Sequence, residues 1–372
     1  MDGRPKGTRT GYTTGANATA CVVAALRRLL EGSALERVRI TLPEGQTPEF
    51  EIAWTRLEPD GSCTCATVKD AGDDPDVTHK AEIRANVRWN GRSGEPRFLA
   101  GEGVGTVTRP GLGLEVGGPA INPVPRAMMR EHVRRLLEEH GRGQEGVDLT
   151  VGVKDGESLA RRTLNGRLGI VGGLSILGRT GIVHPYSAAA FVAALEQGVD
   201  VAAAQGCRTV VLTTGGVTEG FAMARLPELP ESAFVQMGDQ VGAALDRCAL
   251  RGVEKVLLAG QMGKVTKLAQ GLLQTHARRG DLDLGFLAQM AGEAGASEGE
   301  VATIAAGTTA RFALETGLGR PWFGPFTEAL CARAAAVARA RLDAACEGGA
   351  QVRVESWLFD FEKGEVLARA GA

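Results

Sequence analysis

Two kinds of apolar patterning divide this chain, and they restrict its fold more than any other feature. In the second half, Arg208–Thr214 and Val253–Ala259 are short apolar runs without polar alternation, each leading into glycine and then a helical stretch. A strand that is apolar on both sides has to be covered on both faces, as in a parallel sheet packed between helices. A helix from about Glu219, an apolar piece at Ala233–Met237 and a helix through Val241–Arg251 fit the same scheme. So do further helices up to Ala345 and a last strand at Val352–Phe359.

The first half alternates instead. Strand-like runs lie near Val38–Leu42, Glu49–Trp54, Thr64–Val68, Ala81–Trp89 and Val104–Val107, with turn residues between them, as in an antiparallel sheet. Thr13-Thr14-Gly15 leads into an alanine- and leucine-rich helix through Leu30. Asn122-Pro123 reads as the cap and first residue of a second helix. That helix carries Met129, Val133, Leu136 and Leu137 on one stripe and stops at Gly141, and Val147–Val153 is one more strand. The expected architecture is an α+β N-terminal domain over 1–168, a glycine-rich junction at 169–186, and an α/β C-terminal domain with a mostly parallel sheet over 187–372. A ligand site is expected between the domains or at the strand ends of the second.

Composition narrows the function. Lys+Arg 42 against Asp+Glu 44 gives a net charge of −2, so no broad basic face offers itself to nucleic acid or an anionic membrane. Aromatics are 5%, too few for a base-stacking platform. No run nears the ~18 apolar residues of a membrane helix, and Met1-Asp2-Gly3-Arg4-Pro5 begins no secretory signal, so a cytoplasmic protein is expected. Glycine is 52 of 372 residues, about twice the usual ~7%, and it sits in clusters between apolar runs. Such clusters mark tight turns or close approach of a ligand to the main chain. A small-molecule enzyme with a loop-built site follows.

The seven cysteines form no CxxC, and the five histidines show no HxxxH or HExxH spacing, so no protein-held metal is expected. Cys63 and Cys65 point to one face of their strand.

Several motifs carry two readings. Thr213-Thr214-Gly215-Gly216 and Gly260-Gln261-Met262-Gly263-Lys264 occupy strand ends, where loops of open α/β sheets meet ligands and helix N-termini offer free amides. Neither has the spacing of a dinucleotide or P-loop fingerprint, and each could be an ordinary strand-to-helix turn. Asp70-Ala71-Gly72-Asp73-Asp74-Pro75-Asp76 places four carboxylates in seven residues, either an acid/base or cation site or a solvated turn. Arg126, Arg130 and Arg134 recur every four residues beside an apolar stripe, as carboxylate forks or as stems laid over it. Lys264 and Lys267 share a helical face. Ser175, inside Gly172–Gly181, lacks the GxSxG elbow of a hydrolase. Gly101-Glu102-Gly103-Val104-Gly105 leaves a phosphate-binding reading open, and with it a nucleotide-dependent small-molecule kinase.

Gly11–Gly15, Lys69–His79, Thr108–Arg126, Leu168–Pro185, Thr213–Gly216 and Gly260–Ala269, in that order, resemble the cobalt-precorrin-5B C1-methyltransferases of anaerobic cobalamin biosynthesis. The resemblance spans nearly the whole chain. It implies S-adenosylmethionine as methyl donor, a cobalt-bearing tetrapyrrole as acceptor, and cobalt-precorrin-6A as product. The cobalt belongs to the substrate. A sulfonium methyl is already activated, so such an enzyme works chiefly by holding two carbons in line.

From this resemblance and the strand-end topology, the donor site is expected at Thr214, Gly215, Gly216, Gly260 and Met262. The acceptor is expected at Thr13, Thr14, Lys69, Asp73, Asp76, Arg126, Ser175 and Lys264, with Asp74 as the catalytic carboxylate. A homo-oligomer and transient contact with neighbouring pathway enzymes are compatible with it. A tetrapyrrole-binding protein without catalysis is the alternative from another class.

Overall fold

The Thr13 hydroxyl accepts the Ala16 N–H at 3.2 Å and opens α1 (Thr14–Glu31), which follows the short strand β1 (Gly11–Tyr12). The helix ends at Gly32, whose φ of 77° is the left-handed turn that glycine adopts without strain. Residues Thr14 to Leu26 are buried without a break, because α1 is enclosed by the sheet and by a second helix. In the computed structural model, residues 7–276, 281–346, 351–360 and 362–372 are described. The chain divides into two units, Met1–Ser187 and Ala188–Ala372.

In the first unit, β2 (Arg37–Arg39) pairs with β3 (Glu49–Glu51), and β4 (Trp54–Leu57), β5 (Cys63–Val68) and β6 (Glu82–Trp89) follow. Next come β7 (Arg97–Ala100), β8 (Thr106–Val107), α2 (Pro123–Glu139), β9 (Val147–Val153), α3 (Gly156–Ala160), β10 (Ile170–Val171) and β11 (Ile182–Val183). The main sheet runs β4-β5-β6-β9-β7. Its first four strands are antiparallel, as the alternation predicts, whereas β7 lies parallel to β9. β7 is a four-residue edge strand whose pairing comes from a partner about fifty residues away, so no local pattern announces it. Cys63 and Cys65 share the buried face of β5.

Residues 169–186, expected as a junction, pair their backbone with the first unit: β10 with β8, and β11 with β1. Three glycines make this possible. A Cβ on Gly103 would lie 2.1 Å from the Val153 carbonyl oxygen, and one on Gly156 or Gly173 would lie 2.3 Å from the Gly103 oxygen. The space beside Gly101, Gly103 and Gly105 is thus filled by the protein's own atoms, the backbone of Val151, Val153 and Gly156 and the Ile170 side chain, which removes the basis of the phosphate-loop reading.

The second unit contains α4 (Ala188–Ala204), β12 (Thr209–Thr213), α5 (Gly216–Arg225), β13 (Phe234–Gln236), α6 (Val241–Leu250) and β14 (Lys255–Gly260). Then come α7 (Met262–Ala269), α8 (Leu284–Glu293), α9 (Glu298–Ala305), α10 (Ala310–Gly317), α11 (Phe323–Ala345), β15 (Arg353–Phe359) and β16 (Val366–Gly371). The sheet order is β13-β12-β14-β15-β16, parallel except for β16. Val210 and Leu212 enter one core with α4, α6, α7 and α11, while Val211 enters another with Ala222 of α5. Burial of alternate side chains on opposite faces explains why these strands read as continuously apolar. β15 was expected to be the last strand. It is followed by β16, an antiparallel edge strand whose Ala-Arg-Ala-Gly composition carries a weak strand signal.

Candidate functional site

β12 is followed by α5 and returns as β13 on one side, whereas β14 is followed by α7 to α11 and returns as β15 on the other. Right-handed crossovers then send the two connections to opposite faces of the sheet. They part at the carboxyl ends of β12 and β14, the topological switch point at which open α/β sheets bind ligands in a crevice. The two expected motifs meet here. The Thr214 N–H donates to the Ala259 carbonyl at 3.2 Å, and a Cβ on Gly260 would lie 3.4 Å from Thr214 Cγ2.

The residues at this crevice differ in what they can offer. The Gly215 backbone is extended (φ 162°, ψ 176°), which any residue adopts, and a Cβ there would meet nothing within 4 Å. Neither torsion nor crowding demands glycine, so the position is open to close approach by a ligand. Gly216 opens α5, and Gly215 before it provides no side-chain cap to the helix amides. Gly260 is different: its Cβ would press on Val265 Cγ2 at 3.0 Å, a packing reason for glycine. Met262 is buried in the core, so only its backbone could face the crevice. Thr214 Oγ1 and Thr218 Oγ1 lie 2.9 Å apart.

Three further polar groups gather around these strand ends: Thr213, which belongs to the first motif, and Glu219 and Asp239, to which sequence reasoning gave no role. Glu219, in the first turn of α5, is 6% exposed and accepts from Gln236 Nε2 at 2.7 Å. The fully buried Thr213 hydroxyl has no hydrogen-bond partner among the described residues. Asp239, three residues past β13, is ion-paired to Lys264 and accepts from Thr275 Oγ1 at 3.0 Å. Burial, and after it the neighbouring Lys267, holds the Lys264 ammonium below the ordinary lysine value. Asp239 sits in a Gly-Asp-Gln turn with no local sign of a role; only its partner reveals it.

In the first unit the acidic turn is tied down at almost every carboxylate. Asp73 Oδ2 accepts the N–H groups of Gly7, Thr8 and Arg9 at 3.1, 3.1 and 3.0 Å. Asp70 pairs with Arg9, and Asp76 with Lys69. Asp76 also accepts from Thr78 N–H at 2.7 Å, and Thr78 Oγ1 accepts from Lys69 Nζ at 2.7 Å. Burial would raise the Asp76 pKa, but Lys69 and Thr78 outweigh it and hold the carboxyl below its usual range. Asp74 Oδ1 accepts the Tyr186 N–H at 3.0 Å, at a residue held in the left-handed region (φ 53°). No His/Cys/Asp/Glu group able to hold a metal ion occurs among the described residues.

The other expected acceptor residues are placed as follows. Lys69 is 1% exposed, and Ser175 is buried with its hydroxyl toward Asn165 at 3.4 Å; neither presents its polar group outward. Arg126 donates to the carbonyls of Ile121 and Pro119 at 2.8 and 3.0 Å, with its guanidinium over the Phe98 ring. Thr14 Oγ1 donates to the Leu177 carbonyl and accepts the Leu177 N–H at 2.9 Å, while Thr13 caps α1. Thr14 thus holds Leu177, and β10 is held by its pairing with β8; Leu177 and Val171 are exposed at 48% and 57%. The structure thus joins Thr214, Gly215, Gly216, Gly260 and Met262 in one crevice, and joins Lys69 with Asp76 and Thr13 with Thr14. Lys264, expected with the acceptor group, stands in the second unit beside the strand-end crevice.

Family models described as CbiD and as CbiD, C-terminal domain, match residues 1–185 and 274–371. The cobalt-precorrin-5B C(1)-methyltransferase of Burkholderia mallei is 48% identical over 336 residues, covering 90% of this chain and 91% of that protein. That of Salinispora arenicola is 46% identical over 368 residues, covering 99% and 94%. A crystal structure of a cobalamin biosynthesis protein (cbiD) from Archaeoglobus fulgidus is 27% identical. It covers 73% of this chain and 84% of that one, with a TM-score of 0.40.

Proposed function

This chain belongs to the CbiD family, the cobalt-precorrin-5B C1-methyltransferases, and on that premise we propose that it methylates C1 of cobalt-precorrin-5B with S-adenosylmethionine, giving cobalt-precorrin-6A. The C1–methyl bond forms as the methyl–sulfonium bond breaks, and its electron pair stays on sulfur. The cobalt enters and leaves with the tetrapyrrole. Among the described residues no helix is long and apolar enough to cross a membrane, which agrees with our reading of a cytoplasmic enzyme.

The observation that carries the donor reading is the switch point, where Thr214 meets the Gly260 turn of the neighbouring strand and the backbone at Gly215 lies open. The groups there suit an adenosyl donor: uncapped helix amides, the Thr214 hydroxyl, and the nearby Glu219 carboxylate. Because a Cβ at Gly215 meets nothing within 4 Å, Gly215→Val leaves the fold intact while filling the space a ligand would use. Calorimetry should show S-adenosylhomocysteine bound at least about 10-fold more weakly, with the cost in Tm limited to that of valine being a poorer helix cap than glycine, about 1 kcal/mol. Unaltered affinity would move the donor elsewhere. Transfer of labelled methyl to cobalt-precorrin-5B tests the reaction itself.

For the acceptor we assign the first unit. The exposed Val171 on β10 and Leu177, held by Thr14, support a surface for an apolar macrocycle, with Arg126 among the cations for its carboxylate arms. Lys69, Asp73, Asp76 and Ser175 act in this reading by holding the loops. Asp74, with a single backbone bond from Tyr186, is the carboxylate proposed to act on the acceptor. Asp74→Asn keeps an acceptor oxygen for that bond and removes the charge. We expect kcat to fall at least about 10-fold with unchanged melting, as for loss of a general acid or base. Unchanged turnover would take Asp74 out of the site.

A further inference from the structure

The ion pair between Asp239 and Lys264 stands beside the strand ends of β12 and β14. Lys264 Cβ lies 4.0 Å from where a Cβ on Gly260 would be, and Asp239 follows the carboxyl end of β13, the strand next to β12. The two side chains are 34% and 25% exposed, so the pair is partly stripped of water yet reachable. Asp239 is held independently of Lys264. Thr275 Oγ1 donates to it at 3.0 Å, and the Thr275 N–H donates to its backbone carbonyl at 3.0 Å. The buried Lys267 fixes Thr275 in turn, donating to its carbonyl at 3.3 Å.

Such a pair matches a ligand that is itself a zwitterion. An α-amino-acid head can insert between the two, its carboxylate taking Lys264 and its ammonium taking Asp239. Every charge then exchanges one partner for another and none is left buried alone, which avoids the penalty of an unpaired charge. The geometry points to Asp239 and Lys264 as the clamp for the amino-acid end of the methyl donor, with the adenosyl end toward Gly215. This rests on the donor reading above and moves Lys264 from the acceptor to the donor.

The test is calorimetry with two probes. S-adenosylhomocysteine carries the amino-acid head, and 5′-methylthioadenosine has the same nucleoside and sulfur without it. Lys264→Met and Asp239→Asn should each weaken S-adenosylhomocysteine about 10- to 100-fold, the range for a lost charge-assisted bond. Both should leave 5′-methylthioadenosine within about twofold. Unchanged binding of S-adenosylhomocysteine overturns the clamp, and so does an equal loss for both probes, which marks a structural pair. If Gly215→Val loses S-adenosylhomocysteine while these variants do not, the donor site stands and only the clamp falls. A native protein that binds neither probe removes both.

Discussion

Alanine at Gly103 should cost the first unit more than about 4 kcal/mol, enough to leave little folded protein, since losses of that size consume most of a domain's stability. Two penalties add. Gly103 has a φ of 70°, where a side chain costs roughly 1–2 kcal/mol. Its Cβ would also lie 2.1 Å from the Val153 oxygen and 2.7 Å from the Gly156 nitrogen. Those atoms are backbone and cannot rotate away. Gly141→Ala separates the two terms: its φ is 67°, but a Cβ there meets nothing within 4 Å. It should lose only about 1–2 kcal/mol in a denaturant melt, the cost of the torsion alone. Equal losses at the two positions would show that backbone contact contributes nothing.

Removing Lys69 should have the next largest effect. Its ammonium is buried against Asp76 and Thr78 beneath the acidic turn. Lys69→Met strands the Asp76 carboxylate, and breaking a buried pair from one side typically costs about 3–5 kcal/mol. Adding Asp76→Ala should return part of that loss, because no unpaired charge then remains, so the double variant should be more stable than the sum of its single losses implies. The pH dependence has a definite sign. Asp76 is held below its ordinary pKa in the folded protein, so its contribution is present above about pH 4 and is lost as pH falls through the folded value. Asp70, Asp73 and Asp148 are also held below their ordinary values, so acid titration should show a larger loss in the native protein than in Asp76→Ala. Identical acid profiles for the two would dismiss the pair as a source of stability.

The turn Asp70–Asp76 shows how far local reading reaches. Four carboxylates in seven residues are visible in the sequence, yet they are equally consistent with a site and with a solvated turn. Their partners are invisible locally: Arg9, the Gly7–Arg9 amides, Lys69 and Tyr186, up to 112 residues away. Ser175 and Arg126 repeat the lesson. Their residue types suggest contact with a substrate, and only the fold shows that Ser175 also reaches Asn165 and that Arg126 also donates to the carbonyls of Ile121 and Pro119.

What the sequence determined alone is the periodicity: an alternating, antiparallel first unit, a continuously apolar, parallel second one, and glycines at the ends of β12 and β14. These follow from side-chain direction along a strand, which neighbouring residues set. The tertiary structure alone decided the order β13-β12-β14, and hence the crevice where Thr214 meets Gly260. It also decided that Gly103 packs on backbone while Gly215 lies open, and that Asp239 finds Lys264. Each of those depends on which distant segments come together, and chain-local patterns do not encode a neighbour's identity.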